Sequence, residues 1–265
     1  MVKIYLDPGH GGNDPGAIGN GLYEKDVNLT IALKTRNILT DEYEGHDIRM
    51  SRTSDVTKSL DARTDEANAW GADYYLSIHI NAGGGTGFES YIYNGSYPGK
   101  QETDRLRNII HNTIMQHVDF QDRGKKEANF HVLRETVMPA SLTENGFIDN
   151  PNDAEKLKSD TFLNRIARGH AEGLAQAFNL PRKEQLDGVF YRVIAGSFLV
   201  RENAEEQQNK LQQKGYDSFV DIFDQDGTRY FRVVAGSFTD RANAEIRETA
   251  LKEDGFDSFI TTYKN

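Results

Sequence analysis

His10, Glu24, His79 and Glu144 are the residues of this chain whose types combine into hydrolytic chemistry. His10 sits in Asp7-Pro8-Gly9-His10-Gly11-Gly12, directly after the apolar run Val2 to Leu6. Glu24 follows a glycine-rich loop and opens a helical pattern. His79 lies in Ser77-Ile78-His79-Ile80-Asn81, and Glu144 in Leu142-Thr143-Glu144-Asn145-Gly146-Phe147. Imidazole and carboxylate are ordinary zinc donors, and a His/Glu/His set leaves the fourth tetrahedral position for water, as in catalytic rather than structural sites. Glu144 is then the spare carboxylate that hydrolysis needs as a general base. Each residue also has an ordinary structural reading: a hydrogen-bonded histidine at a strand end, a first-turn glutamate favoured by the helix dipole, half of a salt bridge. Spacing alone does not choose between these readings, because no local HExxH pair is present.

The elements that must position these side chains alternate in type. Val2–Leu6 and Asp73–Asn81 are near-continuous apolar runs, the pattern of strands buried on both faces. Asp26–Tyr43, Ser59–Trp70, Thr103–Val118 and Ser159–Phe178 carry helical patterns, and Gly87–Tyr93 and Ser141–Phe147 are further strand candidates. The expected fold is α/β, a twisted, mostly parallel sheet with helices on both faces. Sites in such sheets collect beyond the carboxyl ends of the strands, where His10, His79 and Glu144 all fall. Gly9, Gly11 and Gly12 are expected to turn the backbone tightly past a metal and leave room for a bulky ligand. A phosphate-binding loop fails on residues: there is no Gly-x-x-x-x-Gly-Lys-Ser/Thr, and Glu24 stands where a dinucleotide fingerprint has glycine.

Composition narrows the classes further. The 265 residues allow one large domain and one small one, and 37% hydrophobic with 27% charged residues is ordinary for a globular chain. A net charge of −10 argues against nucleic acid as a partner. With no cysteine, the chain has no disulfide, no Cys-type zinc site and no thiol nucleophile. No apolar run approaches the length of a membrane span, so no membrane association is expected. The first strand begins so close to Met1 that synthesis in the cytoplasm without a signal peptide is expected.

The words around the four residues, in order along the chain, resemble the zinc-dependent N-acetylmuramoyl-L-alanine amidases of the Amidase_3 family. They are Ile4-Tyr5-Leu6-Asp7-Pro8-Gly9-His10-Gly11-Gly12, Asp14-Pro15-Gly16-Ala17, Glu24, Ser51-Arg52, Arg63 with Ala67-Asn68, Ser77-Ile78-His79-Ile80-Asn81, Val132-Leu133-Arg134 and Pro139 to Ile148. The resemblance covers about residues 1–180. It implies one Zn²⁺ per catalytic domain on His10, Glu24 and His79, with Glu144 as catalytic acid/base. The implied substrate is peptidoglycan, cut at the amide between N-acetylmuramic acid and L-alanine. Asn81, Arg134 and Asn145 are candidates to support the ligands or touch substrate, or else turn and surface residues. His131 lines the cleft in one reading and is structural in the other. His46, His111, His117 and His170 have no motif, and His170 reads as a packing histidine.

Residues 181–188 form a short polar stretch, the linker candidate. After it an internal repeat runs at an offset of 40: Tyr191-Arg192-Val193-Ile194-Ala195-Gly196-Ser197-Phe198 returns as Phe231-Arg232-Val233-Val234-Ala235-Gly236-Ser237-Phe238. Each unit reads strand, helix, strand, and two units make a small α+β βαββαβ domain over 189–265. This tail resembles a SPOR domain, the peptidoglycan-binding module with the pattern Tyr-x-Val-Gln-x-Gly-x-Phe. Ile194 and Val234 replace its glutamine. By alternation Tyr191, Val193 and Ala195 face the helices while Arg192, Ile194 and Arg232 face outward, and the two arginines are the candidate glycan contacts. The whole resembles the mother-cell-lysis wall hydrolases of endospore formers; a prophage endolysin of the same activity and an inactive peptidoglycan-binding protein are the alternatives. A monomer is expected.

Overall fold

The computed structural model describes residues 1–183 and 189–264 and divides into two compact units, Met1–Lys183 and Glu184–Asn265. In chain order the first unit contains β1 (Val2–Pro8), β2 (Ile18–Gly19), β3 (Leu22–Tyr23), α1 (Glu24–Glu42), β4 (His46–Met50), α2 (Leu60–Trp70), β5 (Tyr74–Asn81) and β6 (Phe88–Tyr93). It continues with α3 (Lys100–His117), β7 (Asp122–Ala128), α4 (His131–Arg134), β8 (Ala140–Phe147), α5 (Pro151–Lys158) and α6 (Asp160–Phe178). The six-stranded sheet has the order β4-β1-β5-β8-β6-β7. All neighbours are parallel except β8 and β6, so the sheet is mixed but mostly parallel.

Alternation along the central strands feeds two cores. Ile4, Leu6, Leu76 and Ile78 pack with Val27 and Ile31 of α1, Ile110 and Ile114 of α3 and Ile166 and Leu174 of α6. Tyr5, Tyr75 and Leu142 point to the other face and meet Ala67 of α2 with Val132 and Leu133 of α4. The sheet is therefore covered on both faces. Local chemistry fixes the helix ends: the Ser59 side chain accepts from the Ala62 amide and Gly71 closes α2 at φ 68°, while Asn150 caps α5 ahead of Pro151. In α6, Gly169 and Gly173 lie where a Cβ would come within 2.7 Å and 3.0 Å of the Cα atoms of Ile114 and Ile110, so α3 and α6 approach closely only because both residues lack a side chain. His170, between them, is fully buried. Its Nδ1 lies 2.9 Å from the Ile166 carbonyl and its Nε2 3.0 Å from Thr143 Oγ1, and burial pushes its pKa down to about 4. It is the packing histidine its surroundings suggested, and it steadies the strand that carries Glu144.

Of the linker candidate, residues 184–188 lie outside the described residues. Pro181, Arg182 and Lys183 pair with the end of α1: the Pro181 carbonyl accepts from Glu44, Arg182 bridges Tyr43, and the Lys183 amide donates to the Glu42 carbonyl.

The second unit holds β9 (Val189–Phe198), α7 (Arg201–Gln213), β10 (Phe219–Gln225), β11 (Thr228–Phe238), α8 (Arg241–Glu253) and β12 (Phe259–Lys264). Its antiparallel sheet runs β10-β11-β9-β12. Val193, Ala195, Val233 and Ala235 pack with Ala204 and Leu211 of α7 and Ala244 and Leu251 of α8, one core shared by both repeats.

Candidate metal centre

Three segments bring His10, Glu24 and His79 together at the carboxyl edge of the parallel strands. Their donor atoms all lie within 4.8 Å of one another. His10 Nε2 is 3.2 Å from Glu24 Oε2, and His79 Nδ1 is 2.9 Å from Glu24 Oε1. His10 occupies the left-handed region at φ 61°, where a non-glycine residue is strained. The strain is held by a cage of guanidinium donors. Arg63 donates to the Pro8 carbonyl (2.9 Å) and the His10 carbonyl (2.6 Å), and Arg52 to the Pro8 (3.1 Å) and Gly9 (2.9 Å) carbonyls. Arg63 is itself paired to the buried Asp7 carboxylate at 2.7 Å. Burial opposes the charge on Asp7, but the Arg63 charge and hydrogen bonds outweigh it and hold its carboxyl below the usual range. Arg63→Ala leaves that carboxylate buried and unpaired, so unfolding free energy is expected to fall by about 3–5 kcal/mol in chemical denaturation. A loss under about 1 kcal/mol would show that the His10 loop does not depend on the pair.

The expectation for the glycines needs correction. A Cβ on Gly9 would fall 2.1–2.6 Å from the His79 ring, so the space beside Gly9 is filled by the His79 side chain rather than left for substrate. Gly11 and Gly12 face Arg52, Val56 and Thr57, not the centre. Gly16 takes the corresponding place on the other side: a Cβ there would meet Glu24 Oε2 at 2.6 Å and the His10 ring at 2.7 Å.

The donors are braced from behind. His10 Nδ1 lies 2.8 Å from Asp14 Oδ2, which fixes the ring and leaves Nε2 to face the centre. Glu24 also accepts from the Ala17 and Ile80 amides and from Asn28 Nδ2. Burial works against ionising Glu24, yet His10 and His79 hold its carboxyl well below the ordinary carboxylate range. Two imidazole nitrogens and a committed carboxylate, with Asp14 behind His10 and backbone amides behind Glu24, fit a zinc ion in donor type and number.

Glu144 stands one strand away, directly opposite His79 in the β5–β8 register. Its Oε2 is buried with no hydrogen-bond partner among the described residues. Burial first, then the charges of Glu24 and Glu89, raise its pKa well above the usual value. It is a carboxyl prepared to hold and release a proton.

The remaining candidates separate. Asn81 donates to Glu89 Oε1 at 2.7 Å, next door to the centre. Asn145 is fully buried and donates to the His79 carbonyl at 3.0 Å, so it braces the sheet and is not open to substrate. His131 Nε2 lies 3.2 Å from Asp61 of α2, outside the cluster. Arg134 is exposed and bonds Glu135 and Asn129, not the site. Arg192 and Arg232 do lie on the sheet face away from the helices but are not free. Arg192 lies flat over Tyr263 (3.4 Å) with Asp221 at 2.5 Å, and Arg232 lies over Phe223 (3.2 Å). The repeat places both arginines over equivalent aromatic rings, but only Arg192 has an acidic partner among the described residues. Ile194, expected outward, and its repeat counterpart Val234 are only 1% exposed and sit in a row between Phe219 and Phe259. Glu89 was not marked by the motif reading, although one charged residue inside the run Phe88–Tyr93 was a signal.

A mostly parallel α/β sheet that gathers two imidazoles, a carboxylate and an uncommitted buried carboxyl at its strand ends has the layout of a metal-dependent hydrolase. Residues 4–176 match the family described as N-acetylmuramoyl-L-alanine amidase, Amidase_3, and residues 187–262 match the SPOR domain. The chain belongs to this amidase family. It is 57% identical over 220 residues to the sporulation-specific N-acetylmuramoyl-L-alanine amidase of Bacillus subtilis, covering 83% of this chain and 84% of that one. It is 46% identical over 184 residues to the endolysin of Bacillus phage SPP1, covering 68% and 67%. The fold matches the crystal structure of an N-acetylmuramoyl-L-alanine amidase from Clostridium difficile at a TM-score of 0.64 and 36% identity, over 68% of this chain and 97% of that one.

Proposed function

We propose that this chain cleaves the amide between N-acetylmuramic acid and L-alanine of peptidoglycan, with His10, Glu24 and His79 holding one zinc ion and Glu144 moving the proton. The observation that carries this reading is the buried, unpartnered Glu144 Oε2 beside three convergent donors. Zinc bound there would supply an activated water and polarise the scissile carbonyl. Glu144 takes the proton released on attack and delivers it to the leaving nitrogen, a contribution of about 10²–10⁴-fold. Asp14 and the Ala17 and Ile80 amides keep the donors in place, and the Arg52–Arg63 cage keeps the His10 backbone fixed during turnover.

The second unit tethers the enzyme to the wall through the aromatic and arginine face of its sheet, which raises local substrate concentration without a contact at the metal. Exposed Phe219 and Phe259, each 45% accessible, offer stacking surface for sugar rings. The biological setting is sporulation, with mother-cell lysis as its last step, and the sporulation-specific name of the Bacillus subtilis relative supports the sporulation part of this reading; prophage lysis is the second reading, supported by the SPP1 endolysin. No helix among the described residues is long and apolar enough to cross a membrane.

Digestion of purified walls tests the reading. It is expected to free L-alanine amino groups and no reducing sugar ends. Reducing ends would make the protein a glycosidase, and new amino groups elsewhere in the stem would make it an endopeptidase.

A further inference from the structure

Beyond Glu144, the next strand carries a second buried carboxylate. Glu89 is 2% exposed and pairs across the antiparallel β8–β6 ladder with Glu144. Its Oε1 accepts from Asn81 (2.7 Å) and the Tyr91 hydroxyl (2.6 Å), and its Oε2 from Arg123 Nε (2.8 Å) and Lys126 Nζ. Four donors fill the carboxylate's acceptor sites. The cations are not filled in return. Lys126 spends one of its three donors on Glu89. Arg123 adds a 3.4 Å contact to the Thr86 carbonyl and lies over the Phe147 ring at 4.7 Å, which leaves Nη2 without a hydrogen-bond partner among the described residues. Two cations on one anion leave a local surplus of positive charge in an acidic chain. Their side chains remain 30% and 37% exposed.

A β-bulge builds this convergence. Phe88 pairs with Asp122 and Ser90 with Lys125, so Glu89 alone opposes Arg123 and Gly124. Gly124 takes φ 86°. In a regular strand residues three apart point to opposite faces, and the extra residue puts Arg123 and Lys126 on the same one. Charges scattered along an edge strand suffice to block unwanted pairing, but they do not need a bulge that aims them at one buried carboxylate.

We infer that Arg123 and Lys126, held by Glu89, form a clamp for a carboxylate on the stem peptide of the substrate. The inference rests on the amidase reading of the metal centre. His79, Glu144 and Glu89 occupy neighbouring positions on β5, β8 and β6. At about 4.8 Å per strand, the clamp lies roughly 10 Å from His79. An extended peptide advances about 3.3–3.6 Å per residue, so an acidic residue second or third in the stem brings its carboxylate to the cations. On the other flank of His79 lie β1 and the buried guanidinium cage, whose donors are committed to carbonyls. Glu89 and Asn81 act through the cations and are positioning residues.

The test uses the full chain loaded with zinc and two soluble muropeptides that differ only in whether the stem carboxylates are free or amidated. The wild-type protein is expected to favour the free acid in kcat/KM by about 10-fold or more, the size of a charge-assisted hydrogen bond. Arg123→Gln and Lys126→Gln are each expected to bring that ratio toward one, and Lys126→Glu to push it below one, with zinc content retained. A wild-type protein that cuts both substrates equally overturns the clamp and leaves the amidase reading standing. So does a variant that lowers both rates in proportion. Failure of the wild-type protein to cut the muramoyl–alanine amide in either substrate overturns the amidase reading itself.

Discussion

His79→Ala is expected to empty the metal centre and abolish wall lysis. The ring contributes a donor 2.9 Å from Glu24 Oε1 and also fills the space beside Gly9, so alanine removes a ligand and opens a gap against the His10 loop. The two donors that remain cannot complete the three-ligand set of a catalytic zinc site. The same loss is expected for His10→Ala and Glu24→Ala. Elemental analysis with a lysis assay on purified walls reads both effects, and full zinc stoichiometry in the His79 variant would remove it from the ligand set. Acid acts in the same direction as the mutations. Burial lowers the His10 pKa, but Glu24 and Asp14 raise it by more, so the proton competes with the metal from a higher pH than for a free histidine. Zinc occupancy is therefore expected to fall as pH drops through that raised value.

The strands that deliver these donors were legible because each is an apolar run ended by a polar residue with ligand chemistry. Val2–Pro8 and Tyr74–Asn81 sit at the centre of the sheet, where both faces are buried and the pattern is strongest. The edges were not legible. β7 reads Asp-Arg-Gly-Lys-Lys-Glu-Ala, a polar segment whose strand state depends on pairing with β6 rather than on any pattern of its own. Strand order was hidden for a related reason. β5 and β6 are close in sequence, yet β8 inserts between them, and local periodicity carries no record of a partner that arrives some fifty residues later. Glu89 became visible only once that insertion put it beside Glu144.

Site residues divide along the same line. The candidate ligands were readable as words, but what surrounds each one was not. Alternation separates Asn145 from Glu144, since neighbours on a strand face opposite sides, and the structure buries Asn145 accordingly. In the tail, alternation gave the side of the sheet for Arg192 and Arg232 but not their exposure. Whether an arginine reaches outward or lies on a ring depends on the aromatic in the next strand, Tyr263 or Phe223.

Glu144→Gln is expected to keep the metal and lower turnover at least about 10²-fold, the lower end of general acid/base contributions. The amide keeps the shape of the side chain but cannot take the proton from the attacking water or return one to the leaving nitrogen. Zinc content identical to wild type, with kcat reduced and binding to walls unchanged, is the expected pattern; near-normal turnover would remove Glu144 from the mechanism. The same substitution has a thermodynamic signature in the metal-free protein. Burial and the charges of Glu24 and Glu89 raise the folded-state pKa of Glu144 above its unfolded value. Stability from this group is therefore complete below the ordinary carboxylate pKa and is lost as pH rises toward the raised one. Gln carries no such loss. The variant is expected to be more stable than wild type at neutral pH, with the difference closing as pH falls below the ordinary carboxylate range. Thermal unfolding of the two metal-free proteins across that range reads it directly. An advantage for Gln that persisted undiminished at low pH would mean that packing, not the buried charge, separates them. Lost activity together with gained stability at one position is what a carboxyl retained for proton transfer in an apolar setting must show.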